Sequence, residues 1–83
     1  LLGDLNIHDA ARDAFREAIA RADGVPARER ADLYTNLGCA LVELDKLEEA
    51  LDAFRSAVEA DPTHQNAAKN VLAMRSFLAS SAA

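Results

Sequence analysis

The chain contains two similar copies of one segment. Residues 2–20 and 41–59 align without gaps at an offset of 39 residues, and eight of their nineteen positions are identical. Both copies contain the pattern Ala-x-Asp-Ala-Phe-Arg-x-Ala, which begins at Ala11 and at Ala50. Self-similarity at a fixed period is typical of repeat proteins, in which small units stack and share one apolar core. With 83 residues, the chain has room for a single domain built in this way.

The spacing of apolar residues predicts that both copies are helical. In each copy these residues recur three and four positions apart, as on one face of an α-helix. They are Ala11, Phe15, Ala18, Ile19 and Ala22 in the first copy and Ala50, Phe54, Ala57 and Val58 in the second. Nineteen residues are alanine, the strongest helix former, and β-branched residues are scarce. We therefore predict an all-α fold with helices at about 6–22, 27–44, 47–60 and 63–79.

Helix ends are predicted from capping residues and breakers. In each copy, Leu-x-x-Leu is expected to close one helix, after which Asn6 or Asp45 acts as the N-cap of the next. Residues 1–5 would then be the stub of an earlier helix. Glu48, three residues after Asp45, completes the pattern of a capping box. A break is expected at residues 23–26, where glycine precedes proline, and Asp61 is the predicted N-cap of the last helix.

Residues 31–64 resemble the tetratricopeptide repeat, a motif of 34 residues. Six of eight signature positions match, while a tyrosine and a leucine replace the usual tryptophan and tyrosine. The eight positions are Tyr34, Leu37, Gly38, Leu41, Ala50, Phe54, Ala57 and Pro62. This resemblance implies antiparallel helix-turn-helix hairpins, stacked as an α-solenoid with a right-handed superhelical twist.

The resemblance divides the single domain, residues 1–83, unevenly. Residues 1–24 correspond to the second half of a preceding repeat, and residues 65–79 to a terminal or capping helix, since Leu72 stands where glycine is expected. The chain is therefore expected to be an excised fragment. The 39-residue offset adds about five residues near positions 25–29 compared with the usual period. Such a lengthened hairpin should alter the superhelical angle.

The pattern also predicts how the helices pack. Gly38 is expected to face Ala50 across a close helix crossing, and Phe54 to fill the space between neighbouring hairpins. Tyr34, Leu37 and Leu41 should fill the groove beside the glycine, and Ala57 should leave room for the next helix. Replacing Gly38 with leucine should then destabilise the fold by overpacking.

The resemblance implies that the chain binds a partner peptide or protein on the concave face, which the first helix of each hairpin lines. The predicted partner-binding residues are Asp32, Thr35, Asn36, Cys39, Val42, Glu43, Asn66, Lys69, Asn70 and Ala73. The amides of Asn36 and Asn70 suit the backbone of an extended peptide. Alternatively, these residues are no more than solvated helix faces. Some family members clamp a carboxylate, but only Asn36 of that set is retained here, so no such clamp is predicted.

Composition and motifs argue against several other functions. The net charge of −5 disfavours nucleic acid, and residues 25–62 carry nine acids against four bases, which would favour a basic partner. No apolar run approaches the roughly 18–20 residues of a membrane span. A single cysteine cannot form an intramolecular disulfide, so we predict a cytoplasmic protein. High alanine and arginine usage is typical of GC-rich bacteria.

No residue pattern indicates catalysis, a cofactor or a metal. His8 and His64 lie at predicted helix starts, far apart in sequence, without a metal-ligand companion four residues on. Cys39 has no neighbouring base and is predicted to be a small, half-buried apolar residue. There is no glycine-rich phosphate loop. The sequence thus predicts a protein that is not an enzyme, although it could be a regulatory part of a larger one.

Self-association is the alternative function, because repeat arrays expose apolar faces at uncapped ends. The unpartnered apolar residues would be Leu1, Leu2 and Leu5 at one end and Val71, Leu72, Met74, Phe77 and Leu78 at the other. A homodimer through these ends is one possibility. Folding of Met74, Phe77 and Leu78 back onto Phe54 and Val58 is the other.

Overall fold

The chain folds into four α-helices. The structure, a computed structural model, describes the backbone of residues 2–82 and the side chains of residues 7–80. The helices are α1 (Leu2–Ala20), α2 (Ala27–Glu43), α3 (Leu47–Ala60) and α4 (Gln65–Ala82). The described backbone contains no strand. The predicted all-α fold is confirmed, with helix bounds within a few residues of those expected except at the first helix.

Short connections make successive helices antiparallel neighbours. The connections are residues 21–26, 44–46 and 61–64. Helix α2 packs between α1 and α3, α3 packs on α4, and α2 also contacts α4. Because α2 and α4 are separated by two reversals of direction, they run parallel. This is the expected arrangement of stacked helical hairpins.

The core lies where α2 and α3 cross. Its buried residues are Leu37, Leu41, Ala50, Ala53 and Phe54, and half-buried Phe15, Ile19, Val42, Val71 and Met74 pack against them from α1, α2 and α4. Beside it, Ala31, Ala57 and Ala67 are fully buried in a second cluster. Their small side chains allow α2, α3 and α4 to approach closely there. Together the two clusters connect all four helices.

Gly38 permits a close approach between α2 and the ring of Phe54, a contact that the sequence pattern did not predict. A Cβ atom at Gly38 would lie 2.4 Å from the ring of Phe54, well inside van der Waals contact. The predicted approach of Gly38 to Ala50 stays a prediction, although Ala50 belongs to the same buried cluster as Phe54. Phe54 is 2% exposed and lies within the α2–α3 hairpin, with its ring on the glycine backbone.

The first helix does not break at Asn6, so the predicted N-cap there is wrong. Helix α1 runs without interruption from Leu2 to Ala20. In the second copy the equivalent segment bends, and α2 ends at Glu43 before α3 begins at Leu47. The helix continues through Asn6 and so keeps the backbone hydrogen bonds that a break would leave unmade, whereas Asp45 adopts a left-handed backbone with φ of 61° that ends α2.

Asp45 closes α2 and does not cap α3, which corrects the predicted capping box with Glu48. Its backbone has φ of 61°, in the left-handed region. The N–H of Asp45 donates to the carbonyl of Val42 at 3.0 Å, and the N–H of Lys46 donates to that of Leu41 at 2.8 Å. This pair of bonds is the Schellman motif, which satisfies carbonyls left free at a helix C-terminus. Lys46 takes the N-cap position of α3 without a side-chain hydrogen bond.

Replacing Asp45 with glycine should stabilise the protein. The left-handed conformation is strained for aspartate and free for glycine, and the gain exceeds the added entropy of the unfolded chain by about 0.5 kcal/mol. Urea denaturation followed by circular dichroism measures the change. The same substitution at exposed Asp52, within α3, should instead lower the free energy of unfolding. Loss of stability in both variants would contradict the role assigned to Asp45.

The connection between α1 and α2 agrees with the sequence pattern. Gly24 has φ of 83°, as a left-handed glycine after a helix requires. Pro26 directly precedes α2, and its carbonyl accepts from the N–H of Arg30 at 3.0 Å. Pro26 therefore begins α2 as predicted, whereas α1 ends earlier than expected, at Ala20, and Gly24 lies in the following turn rather than at the helix C-cap.

Candidate protein-interaction surface

A shallow groove runs between α1 and α2. It encloses about 260 Å³ and is lined by His8, Ala11 and Phe15 of α1 and by Asn36, Cys39, Ala40 and Glu43 of α2. Most of its wall is apolar. Exposed Glu43 lies at one end, with a carboxylate oxygen 3.9 Å from Nε2 of His8. We call this feature the α1–α2 groove.

A second, polar hollow of about 350 Å³ lies where α2 and α4 begin. It is lined by Arg28, Asp32, Thr63, His64, Gln65 and Asn66. The two features lie toward opposite ends of α2, since Asp32 is near its start and Glu43 at its end. We call the second feature the polar hollow.

His64 connects the start of α4 to α2 at the polar hollow. Its Nε2 atom is 2.6 Å from a carboxylate oxygen of Asp32, and its Nδ1 atom accepts from the N–H of Ala67 at 3.1 Å. Accepting at Nδ1 leaves the proton of a neutral imidazole on Nε2, which then donates to Asp32. The histidine side chain is only 8% exposed. His64 therefore caps α4 and also fixes its start against α2.

The N-cap of α4 is thus His64, and the prediction of Asp61 is wrong. Asp61 instead ends α3 and accepts both the N–H and the hydroxyl of Thr63, at 3.0 Å and 2.6 Å. The Thr63 hydroxyl, followed by its N–H, lowers the pKa of the Asp61 carboxyl below its ordinary value. Any stability from this contact is therefore present above the unfolded-state pKa and is lost as pH falls through the lower folded-state pKa.

Replacing His64 with alanine should lower the free energy of unfolding by about 1–2 kcal/mol, because the N-cap and the contact with Asp32 are both lost. A His64→Asn variant keeps a side-chain acceptor for the helix start and should lose less. Thermal denaturation of both variants, with and without Asp32→Asn, separates the two contributions. If the effect of Asp32→Asn were the same whether or not His64 is present, the inferred hydrogen bond would be refuted.

The structure divides the predicted partner-binding residues among several places. Three line the α1–α2 groove (Asn36, Cys39 and Glu43), and two line the polar hollow (Asp32 and Asn66). The Thr35 hydroxyl donates to the carbonyl of Ala31 at 2.8 Å, and Val42 packs against the core. On α4, Lys69 and Ala73 are exposed and Asn70 is half-buried. The predicted set is therefore more dispersed than one continuous groove.

Cys39 is exposed, which corrects the prediction of a half-buried apolar residue. Its thiol nevertheless has a pKa above the ordinary value, first because of partial desolvation and second because of the nearby Glu43 carboxylate. A nucleophilic cysteine requires the opposite shift, toward the thiolate.

Cys39 should react with a disulfide reagent more slowly than free cysteine at pH 8, because a raised pKa leaves less thiolate at that pH. Glu43→Gln removes the charge that contributes to the shift and should speed the reaction. Stopped-flow absorbance over a pH series measures both rates. A reaction as fast as that of free cysteine would show that the thiol pKa is not raised.

Several lining residues escaped the sequence analysis. His8 lies inside α1 and not at a helix start, while Ala11 and Phe15 were assigned to the core stripe alone. The 39-residue offset could have drawn attention to Ala11 and Phe15, because it makes them the equivalents of Ala50 and Phe54. In the polar hollow, Asp32 and Asn66 were predicted, but no comparable signal marked Arg28, Thr63, His64 and Gln65 as lining residues.

Among the described residues, no group of His, Cys, Asp or Glu side chains is arranged to hold a metal ion. No described helix is both long and apolar enough to cross a membrane.

Residues 31–64 match the family model of the tetratricopeptide repeat. Residues 31–64 are a tetratricopeptide repeat. The repeat consists of α2 and α3, with the Gly38–Phe54 contact at its centre. Repeats of this family generally mediate protein–protein interaction and are generally not catalytic. Comparison with curated proteins and with solved structures gives no match. The assignment of residues 1–24 and 65–79 to partial repeats stays a prediction.

Proposed function

We propose that this chain is a protein-interaction module whose α2 and α4 helices bind a partner peptide or protein. The tetratricopeptide repeat at residues 31–64 is the observation that carries this proposal. Exposed polar side chains on both helices support it, in particular Asn36 of α2 and Lys69 of α4. Their amide and ammonium groups can donate hydrogen bonds to the backbone carbonyls of a partner. Such binding requires no catalytic group.

Binding accounts for the titratable groups of these surfaces better than catalysis does. Both ring nitrogens of His64 are engaged in structural hydrogen bonds. Cys39 shares a groove with His8, but its pKa is raised, so it is not an activated nucleophile. The remaining groups of the α1–α2 groove are an amide, a carboxylate and apolar side chains.

A displayed library of random peptides tests the proposal. Peptides selected on this chain should lose affinity for a double variant, Asn36→Ala with Asn70→Ala, and keep it for Arg55→Ala. Arg55 is exposed on α3 and serves as the matched control. Circular dichroism of each variant verifies that the fold is retained. Repeated failure to select any specific peptide, or binding that depends on Arg55 and not on the two asparagines, would overturn the proposal.

Self-association is a second candidate function, which the exposed apolar residues of α4 support. Leu72 is 65% exposed and Phe77 51% exposed. Of the residues expected to fold back, Met74 does pack against the core, and Leu78 is half-buried. The side chains of Leu1, Leu2 and Leu5 lie outside the described residues. Sedimentation at increasing concentration should show a dimer that Leu72→Lys with Phe77→Lys abolishes, whereas a monomer throughout would exclude this candidate.

A further inference from the structure

Another recess lies between the start of α2 and the end of α3. It has a volume of about 340 Å³ and is lined by Arg30, Tyr34, Ser56, Glu59 and Ala60. We call it the Arg30 pocket. Its walls belong to α2 and α3 alone, although α1 packs on α2 and α4 packs on α3. The pocket is therefore left open by both of the helices that neighbour this hairpin.

The guanidinium group of Arg30 has no acceptor in the part of the chain that the structure describes. Its Nε atom is buried and makes no hydrogen bond, and the residue as a whole is half-buried. Arg12 and Arg16, by contrast, each have a carboxylate oxygen at 3.2 Å. An unsatisfied buried donor destabilises the folded chain. Because part of the desolvation cost of this charge is already met on folding, an acceptor that a ligand brings is bound with little further cost.

The chemistry of the pocket suits a carboxylate. A guanidinium group can donate two parallel N–H bonds to the two oxygens of a carboxylate. The hydroxyl groups of Tyr34 and Ser56 belong to the same wall and can donate as well. The carboxylate of Glu59 repels a bound anion, and it repels a doubly charged phosphate more strongly than a singly charged carboxylate. A carboxylate is therefore the favoured ligand.

An apolar recess continues from the Arg30 pocket along α2. It has a volume of about 230 Å³, shares Tyr34 and Ser56 with the pocket, and has Leu37, Leu41 and Ala53 as its apolar lining. The centres of the two recesses are about five residues apart on α2, or roughly 8 Å. Two residues of an extended chain span about 7 Å and place their side chains on the same side. An extended segment can therefore occupy both recesses.

We infer that the Arg30 pocket binds an acidic side chain of an extended partner segment, with an apolar side chain two residues away in the adjoining recess. The bound carboxylate accepts hydrogen bonds from the guanidinium group of Arg30 and from the hydroxyl of Tyr34. This contact goes beyond the proposed function, which places the partner on another side of α2. Asn36 lies about 200° around the helix axis from Tyr34, at 3.6 residues per turn.

Tyr34 makes a site-specific test possible. It is the only tyrosine of a chain without tryptophan, so intrinsic fluorescence reports on this pocket. Titration of the full chain with the peptide acetyl-Leu-Ala-Glu-Ala-Leu-amide should change the emission saturably, since leucine lies two residues from the glutamate on either side. The matched peptide with glutamine in place of glutamate should bind at least about tenfold more weakly, because an amide cannot form the ion pair. Added salt should weaken binding of the first peptide more than that of the second.

Variants of the full chain complete the test. Arg30→Gln should abolish the preference for the glutamate peptide, and Arg30→Lys, which keeps the charge without the planar fork, should retain part of it. Glu59→Gln removes the repelling charge and should tighten binding of the glutamate peptide. Arg55→Gln is the matched control, because Arg55 is exposed on α3, and it should change neither affinity. Circular dichroism verifies that each variant is folded.

Equal affinities for the two peptides, or an unchanged Tyr34 emission with both, would overturn the inference. A preference for glutamate that survives Arg30→Gln would do the same. Weaker binding of the glutamate peptide to Glu59→Gln would contradict the assigned repulsion and with it the choice of a carboxylate. In each of these cases, library peptides that depend on Asn36 and Asn70 would still support the proposed function.

Discussion

Replacing Phe54 with alanine should remove about 3–5 kcal/mol from the free energy of unfolding. The ring is 2% exposed and lies at the centre of the cluster to which all four helices contribute. A domain of this size has a total stability of roughly 4–12 kcal/mol, so the variant loses about a quarter of it or more. Urea denaturation monitored by circular dichroism at the helical band measures the loss.

Phe77→Ala is the matched control, because it deletes the same atoms from a side chain that is 51% exposed. Its effect should stay below about 1 kcal/mol. Equal losses in the two variants would show that Phe54 does not occupy the centre of the core. A large loss for Phe77 alone would place the core at the far end of α4.

Replacing Gly38 with leucine should destabilise the protein by about 1–3 kcal/mol or more. Even the first carbon of the new side chain would lie 2.4 Å from the Phe54 ring, which is buried within the core cluster. Leucine is a better helix former than glycine by nearly 1 kcal/mol, so a net loss cannot come from backbone propensity. Thermal and urea denaturation should agree on the sign.

Ala68→Leu provides the control for Gly38, since Ala68 is an exposed helical position. That variant should change stability by less than about 0.5 kcal/mol. Combining Gly38→Ala with Phe54→Leu tests the contact itself, because the smaller side chain at 54 makes room for the methyl group. The double variant should lose less free energy of unfolding than the sum of the losses in the two single variants. Strict additivity would argue against direct contact between the two side chains.

Local sequence signals predicted the helices well and their capping poorly. Helical periodicity identified four segments, and Gly24 and Pro26 correctly marked the first connection. Asp45 and Asp61 were both expected to begin helices, and both instead end them. An aspartate can accept N–H groups on either side of a break, so its position in the sequence does not decide which helix end it stabilises.

The candidate surfaces were only partly predictable. Helical phase identified Asn36, Cys39 and Glu43 as one stripe of α2, and these three residues do share a groove. The contact between Asp32 and His64 joins residues that are 32 positions apart, and no local pattern indicates it. Such contacts depend on the angle at which two hairpins stack.

The sequence by itself determined that this protein is helical, that its helices form hairpins and that one tetratricopeptide repeat spans residues 31–64. These properties follow from periodicity, turn residues and the spacing of small and large side chains, all of which act within one or two helices. Only the tertiary structure decided that α1 runs straight where α2 and α3 bend apart, because the shared Leu-x-x-Leu pattern acts within one helix and does not fix whether the backbone after it leaves the helical conformation. It also decided how far the equivalent residues of the two copies are covered, since Ala50 and Phe54 are buried whereas Ala11 and Phe15 line the α1–α2 groove.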